Sequence, residues 1–529
     1  MTNRIPAASG ITSIFAMMAL LAIAPSQAAA VDVDSETFFA DCPGPIFLTE
    51  DTTISGKAEI SGSCVVSVEP DVALTLFKAK LTFTGDFSVR GDASALRIER
   101  SKIEAAGATG IVLDSEDTLD IVKSQLGATA GSMNIPPGGD LTFTKSKFAA
   151  LVNFTVGGPG GLITLTKTQV EAGGIIYFAT SGSSTTGTPT EVHLDNVKLT
   201  TLDSISLGGQ TRYVATGSQF VANGVGPGAF HLSPGDGGAV GDNSFTKCKF
   251  STPNGGMQFY GDRGYTIDTS KIAAAGDDGI VFGTSSSAPL LLTSSKLSTE
   301  TGSIEFFGAG PEIVSSVLLV SGADKGIQIG PGSPVTIDGS KLLVKDGNIT
   351  FNTFASCLIT GSKISAFGDE GAAPSGIGIR LSCGTHEITD SSLKALSGLI
   401  DFRTSSTTTV TDSKLFTKAA GGFTINQSGT ASFTGSKLTA PLGDVVMRVG
   451  SSVEITDSQV SSGNTEMVIE TTSVGSTVAD SKLKANNLTI RSFAPTSVTD
   501  SRISTKGTVE FSGDGGCTST GNTPDIPCL

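Results

Sequence analysis

The sequence predicts an all-β chain: a single-stranded parallel β-helix of about 19 coils, with three short strands in each coil. Three observations lead there. A signature of the form apolar–Thr–(Asp/Gly/Lys)–Ser–Lys–(Leu/Ile) returns roughly every 22 residues between residues 77 and 503, as in Phe143–Phe148, Ile359–Ile364, Val410–Leu415 and Phe433–Leu438. A fixed period of this size marks units that cannot bury their apolar residues alone and must stack. Between signatures, apolar and polar residues alternate with period two, the pattern of strands with one buried face. Beyond the N-terminus no run shows the 3.6-residue spacing of an amphipathic helix, and 66 glycines with many Ser and Thr punctuate the chain at bends.

Residues 1–30 read as a secretory signal peptide. Arg4 supplies the positive start, Ile14 to Ala24 form the apolar stretch, and small residues follow, with cleavage after Ala28 or Ala30. The apolar stretch is too short to span a bilayer comfortably, and no later segment has the ~20 apolar residues of a membrane helix. Export to the periplasm, the cell surface or the medium is expected, with no membrane span in the mature chain. Residues 31–70 are assigned to an N-terminal cap and the first coil or coils, 71–510 to the β-helix, and 511–529 to a C-terminal cap.

Within a coil, the first strand is the Ser-Lys-Leu of the signature. The second follows a bend, as in Gly279–Phe282, Gly326–Ile329, Asn348–Phe351 and Gly422–Ile425. The third leads into the next signature, as in Val335–Asp338. Counting the apolar residue that closes each signature, from Leu81 to Ile503, gives 19 units. At ~4.8 Å per coil they make a rod of about 90 Å with one continuous core.

The signature Ser is present in 15 of the 19 units. With Leu inward and Lys outward, alternation turns Ser inward at a corner, where its hydroxyl needs a backbone partner or the next Ser along the column. The outward position holds Lys in 12 units, Arg502 in one more and Gln in four. This stripe is a candidate contact for an anionic polysaccharide, with Lys414, Lys437 and Lys482 as representative residues. Asp412, Asp457, Asp480 and Asp500 at the adjacent bend offset part of its charge.

Seven cysteines fit an oxidising compartment. Cys42 and Cys64 are expected to staple the start of the array, and Cys517 and Cys528 its end. Cys357 and Cys383 lie about one repeat apart, where stacked coils bring them into bonding range. Cys248 stands where the repeat has Ser and is expected to be a buried free thiol. There is no C-x-x-C and only three His (His193, His231 and His386), so neither a metal nor a cofactor is expected. The formal charge of −15, without a basic patch interleaved with aromatics, argues against nucleic acid.

The repeat, over about residues 45 to 512, resembles the right-handed parallel β-helix superfamily of pectin-lyase-like proteins and adhesin passengers. The resemblance implies a right-handed coil and a range of roles, from polysaccharide lyases and hydrolases to tailspikes and adhesins. A lyase site of that kind needs clustered carboxylates holding Ca²⁺ with an Arg base; a hydrolase needs paired carboxylates. The best fragments are Asp277-Asp278 and the segment Tyr260 to Tyr265, which carries Asp262 and Arg263. Of the hydrolase signatures (Asn-Thr-Asp, Asp-Asp, Gly-His-Gly, Arg-Ile-Lys) only this Asp-Asp is present, and Trp is absent. The insertions are Ser181–Thr190, Val221–Asn243 with His231, and Phe367–Ile377; the first two wall a groove if they leave from the same bend. The reading that follows is an exported non-catalytic scaffold or adhesin with a surface or extracellular polysaccharide as partner. The alternative is a polysaccharide lyase or glycoside hydrolase of the same fold.

Overall fold

The computed structural model describes residues 30–523, apart from 92–93, 116, 137, 159–160, 181–189, 236–240, 286–287, 309, 368–375, 405, 464 and 514–515. The expected signal segment except Ala30, Cys528, most of the insertions 181–190 and 367–377, and part of 221–243 therefore lie outside the described residues. The chain is a parallel β-solenoid of about 20 turns, built as three ladders of 22, 20 and 21 strands. We name them by their place in the coil: the signature sheet, the middle sheet that follows it, and the lead-in sheet that runs into the next signature.

Every index residue of the signature stacks on its counterpart one coil away. Leu393 pairs with Leu415, Leu415 with Leu438, Leu438 with Val460 and Val460 with Leu483. The same register extends back to Leu81, and the ladder begins one strand earlier than the 19 signatures indicate, where Ala58 of Lys57–Ile60 pairs with Leu81. That first strand has Gly56 in place of Ser and Ala58 in place of a large apolar residue, so the motif does not reveal it.

Alternation does the packing. In each strand the apolar residues at every second position are buried, as in Lys414–Thr417, where Leu415 is buried between exposed Lys414 and half-buried Phe416. Large side chains align along the axis: the rings of Phe259, Phe282 and Phe306 stack in succession at 4.6 and 5.3 Å. Each such buried side chain contributes roughly 1.5–3 kcal/mol before entropy. The open N-terminal end is covered by a short helix, Ser35–Phe38, and by Phe39, whose ring meets Phe83 and Phe87 edge-on at 5.5 and 6.3 Å.

The corner between lead-in and signature sheets explains the motif. The residue before the signature Ser adopts positive φ in coil after coil: Lys145 at 52°, Gly361 at 57°, Asp412 at 49°, Gly435 at 61°. That conformation favours Gly, Asn and Asp, which accounts for much of the motif's variable position. The Ser that follows is buried and bonded. Its amide donates to the Oγ of the Ser one coil on, and its own hydroxyl donates to backbone carbonyls. The chain of bonds runs from Ser270 through Ser295, Ser316, Ser340, Ser362, Ser391, Ser413, Ser436, Ser458 and Ser481 to Ser501. Asn522 ends it by accepting from the Ser501 amide.

Cys248 holds this position in one coil. Its amide donates to Ser270 Oγ and its thiol to the carbonyl oxygens of Ala215 and Thr246. It is a free buried thiol, as the sequence suggested, and burial pushes its pKa up to about 11. Disulfides join Cys42 to Cys64 and Cys357 to Cys383. Cys517 is also disulfide-bonded.

Candidate functional site

The fold places the residues singled out from the sequence on different corners. Asp262 and Arg263 occupy the bend after the middle-sheet strand Gly255–Gly261, whereas Asp277 and Asp278 occupy the bend before the next middle-sheet strand, Ile280–Thr284. A five-residue strand, ~17 Å long, lies between those two bends. Arg263 is only 8% exposed, and its Nε donates to the Gly235 carbonyl at 3.3 Å. The two aspartates are exposed. The coil geometry thus does not gather these carboxylates and the arginine into one constellation.

The tyrosines have structural duties. Tyr265 is fully buried at the start of a lead-in strand, and its hydroxyl donates to the Tyr260 carbonyl at 2.6 Å. Tyr213 stands at the equivalent position and donates to Gly208, again five residues upstream, at 2.8 Å. Both plug the corner where the middle sheet turns into the lead-in sheet. The Tyr260 ring lies over Gly283, where a Cβ would come within 2.2 Å of the ring. His231 bonds Gln258 Oε1 through Nδ1 and faces Tyr260 with ring centroids 6.1 Å apart.

Lys414, Lys437 and Lys482 are exposed on the outward row of the signature sheet, and Lys414 pairs in register with Lys437. The same outward row holds Lys249, Lys271 and Lys296, also directly in register, with Val317 and Ser392 interrupting the lysines before Lys414. The corner beside this row divides the rod. In the N-terminal half the positive-φ position holds Lys78, Arg100, Lys123, Lys145, Lys167 and Lys247, with Asn196, Gly217 and Thr269 uncharged; in the C-terminal half it holds Asp390, Asp412, Asp457, Asp480 and Asp500, with Ser294, Ser315, Gly339, Gly361 and Gly435 uncharged. All of them are exposed. Lys414 and Lys482 therefore lie beside Asp412 and Asp480, while Lys147 and Lys249 lie beside Lys145 and Lys247. Arg100 and Lys102 are paired with Glu99 and Glu104 at 3.6 and 2.7 Å. Among the described residues no ion pair involves Lys123, Lys145, Lys167 or Lys247.

A second polar feature sits on the outer face of the middle sheet. Asp401, between the inward Ile400 and Phe402, is 2% exposed although alternation sets it on the outward face. Its Oδ2 accepts from Arg380 Nε at 3.0 Å and from Arg403 Nε at 2.9 Å. Arg403 lines a cleft of about 620 Å³ at the corner toward the lead-in sheet. Asn352, Phe354, Ser382, Asn426 and Gln427 line it too. The corner is held by the Cys357–Cys383 disulfide, by Thr353 donating to Gly332 at 2.9 Å, and by Thr404 donating to Gly384. No sequence motif marks this group; Arg380 and Asp401 are 21 residues apart and meet only through the register.

Among the described residues no helix is long and apolar enough to cross a membrane, and no group of three or more His, Cys, Asp or Glu is arranged to hold a metal ion. No protein family, no curated protein and no solved structure matches this chain.

Proposed function

We propose that the chain is an exported, non-catalytic scaffold or adhesin that holds linear anionic glycans along the N-terminal half of its signature corner. Membership of the right-handed pectin-lyase-like superfamily and secretion through the N-terminal signal belong to the same proposal; the three-strand coil and the Arg4–Ala24 pattern support them.

One observation carries the reading. Lys is a poor residue for a left-handed corner, where a side chain other than Gly, Asn or Asp costs ~1–2 kcal/mol. The chain nonetheless sets Lys there at residues 78, 123, 145, 167 and 247, with φ between 50° and 55°. Backbone preference opposes that choice, as it does at Thr269, Ser294 and Ser315; at the lysines an outward charge is gained in return. Each corner Lys adds to the outward row of the signature sheet, giving a basic edge with coils ~4.8 Å apart that is interrupted at Gly217 and Gln219. Like charges stacked at strand spacing repel. A polymer with an anionic group on each unit relieves that repulsion along its length, so binding and stability are linked.

Equilibrium binding of the mature chain to sodium polygalacturonate, with neutral dextran as control, tests this. Affinity for the polyanion that falls steeply with added salt, with no new reducing or unsaturated ends, is expected. Absence of binding at low ionic strength, or turnover of the polymer, would overturn it.

A further inference from the structure

We infer that the cleft at Arg403 and Phe354 is a discrete site for a single carboxylated sugar unit. The inference rests on the reading that the rod binds anionic glycans, and it assigns a separate place on the molecule with its own chemistry.

The charge of the cleft is set by one group. Among the described residues lining it, Arg403 is the single charged side chain; the others are polar or apolar. Arg403 does not float. Its Nε is fixed by Asp401 at 2.9 Å, and Asp401 is fixed in turn by Arg380 at 3.0 Å. Two guanidinium groups around one carboxylate leave a net positive cluster, and Arg403 remains 58% exposed at the side chain. A guanidinium oriented through Nε keeps its outer N–H groups in a planar fork that suits a carboxylate.

The wall behind Arg403 is anchored from inside. Gln427 lines the cleft but is 5% exposed, and its Oε1 accepts from Thr408 at 2.6 Å. Alternation along Phe423–Gln427 turns Gln427 inward and Asn426 outward, where Asn426 stands beside Arg403 in register. Arg403 is thus the donor offered to the cleft, and its charged fork of N–H groups asks for an acceptor-only group, which describes a carboxylate.

The remaining walls match the rest of a sugar. Asn352 and Asn426 offer amides and Ser382 a hydroxyl, groups that both donate to and accept from ring hydroxyls. Phe354 is 89% exposed, an unusual position for a large apolar ring unless something lies against it. Its face suits the apolar C–H face of a pyranose. An inorganic anion would use Arg403 and leave Phe354 and the amides idle; the whole set favours a uronate. The disulfide and the Thr-to-carbonyl bonds hold these walls across successive coils, so little ordering is required on binding.

Saturation-transfer NMR and calorimetry with sodium galacturonate test the site, with galactose and sodium acetate as controls. Galacturonate is expected to bind at least about tenfold more tightly than either control, and Arg403→Ala to reduce its affinity at least about tenfold. Phe354→Ala alters only an exposed side chain, so it serves where Arg403→Ala does not fold; it is expected to lower affinity for galacturonate but not for acetate. Equal binding of acetate and galacturonate, or no binding of galacturonate, overturns the inference. Polygalacturonate binding that persists in Arg403→Ala, together with absent monosaccharide binding, overturns the cleft while leaving the basic edge standing. Loss of polymer binding with the monosaccharide retained does the reverse.

Discussion

The amide of Ser413 donates to Oγ of Ser436 across 3.2 Å, although 23 residues separate them along the chain. Ser436 in turn donates to the carbonyl oxygens of Thr434 at 2.9 Å and Val410 at 3.1 Å. One hydroxyl thus serves two coils at a buried corner. Replacing Ser436 by Ala orphans a buried N–H and is expected to cost ~1–3 kcal/mol in denaturant unfolding. Ser436→Thr is expected to cost much less, since Thr168 makes the corresponding bonds to Phe143 and Thr166 at 3.1 Å.

At the corner itself, stability and binding are set against each other. Lys145 has φ of 52° where Gly435, at the same position of a later coil, has 61°. Lys145→Gly relieves the left-handed strain and is expected to stabilise the fold by ~0.5–1 kcal/mol after the extra chain entropy of Gly is counted. The same change is expected to weaken binding to polygalacturonate. Thermal unfolding and binding measured on one preparation check both signs; a variant that is less stable and binds as well contradicts the role assigned to the corner lysines.

His386 gives the rod an acid-sensitive point. It is 2% exposed, and its Nδ1 lies 2.9 Å from Thr408 Oγ1. Thr408 Oγ1 lies in turn 2.6 Å from Gln427 Oε1, so His386, Thr408 and Gln427 form one buried polar chain. Burial lowers its pKa from 6.5 to about 4. The unfolded chain takes up this proton below about pH 6.5, the folded chain only below about 4. The stability contributed by the neutral ring is full above pH 6.5 and is lost as pH falls to about 4, on the order of 3 kcal/mol in total. Urea unfolding at pH 7 and pH 4.5 is expected to show a larger drop for the wild type than for His386→Gln. Equal drops would remove His386 from the explanation.

The Cys357–Cys383 disulfide closes 26 residues across neighbouring coils. Replacing both cysteines by Ser is expected to cost ~2–4 kcal/mol. Because the cross-link sits well inside the array, amide hydrogen exchange is expected to rise around residues 353–357 and 383–386 before it rises elsewhere. Faster exchange confined to the ends of the rod would contradict a local role.

Much of this architecture is legible in the residues. Leu415 and Leu438 repeat with the spacing that stacks them, and the Ser-Lys-Leu alternation already tells which side chain is inward. Cys248 in the Ser position is readable as a buried thiol for the same reason. The first coil, expected within residues 31–70, carries no copy of the motif, because Gly56 and Ala58 stand where the Ser and the large apolar residue would be. The polar groups on the middle sheet are not legible either. Arg380, Asp401 and Arg403 belong to strands whose register depends on the length of the bends between them, and nothing local to Asp401 says that two arginines reach it. Asp262, Arg263, Asp277 and Asp278 illustrate the converse: nearness in sequence suggested shared space, and the turn of the coil sends them to opposite ends of a middle strand.

The most direct test compares two charge reversals on the same edge of the rod. Lys123→Glu, Lys145→Glu and Lys167→Glu together are expected to weaken polygalacturonate binding at low salt at least about tenfold. Lys414→Glu, Lys437→Glu and Lys482→Glu together, in the half where Asp412 and Asp480 already offset the row, are expected to weaken it far less. Equal losses from the two triples, or no loss from the first, would contradict the assignment of the N-terminal basic edge as the binding surface.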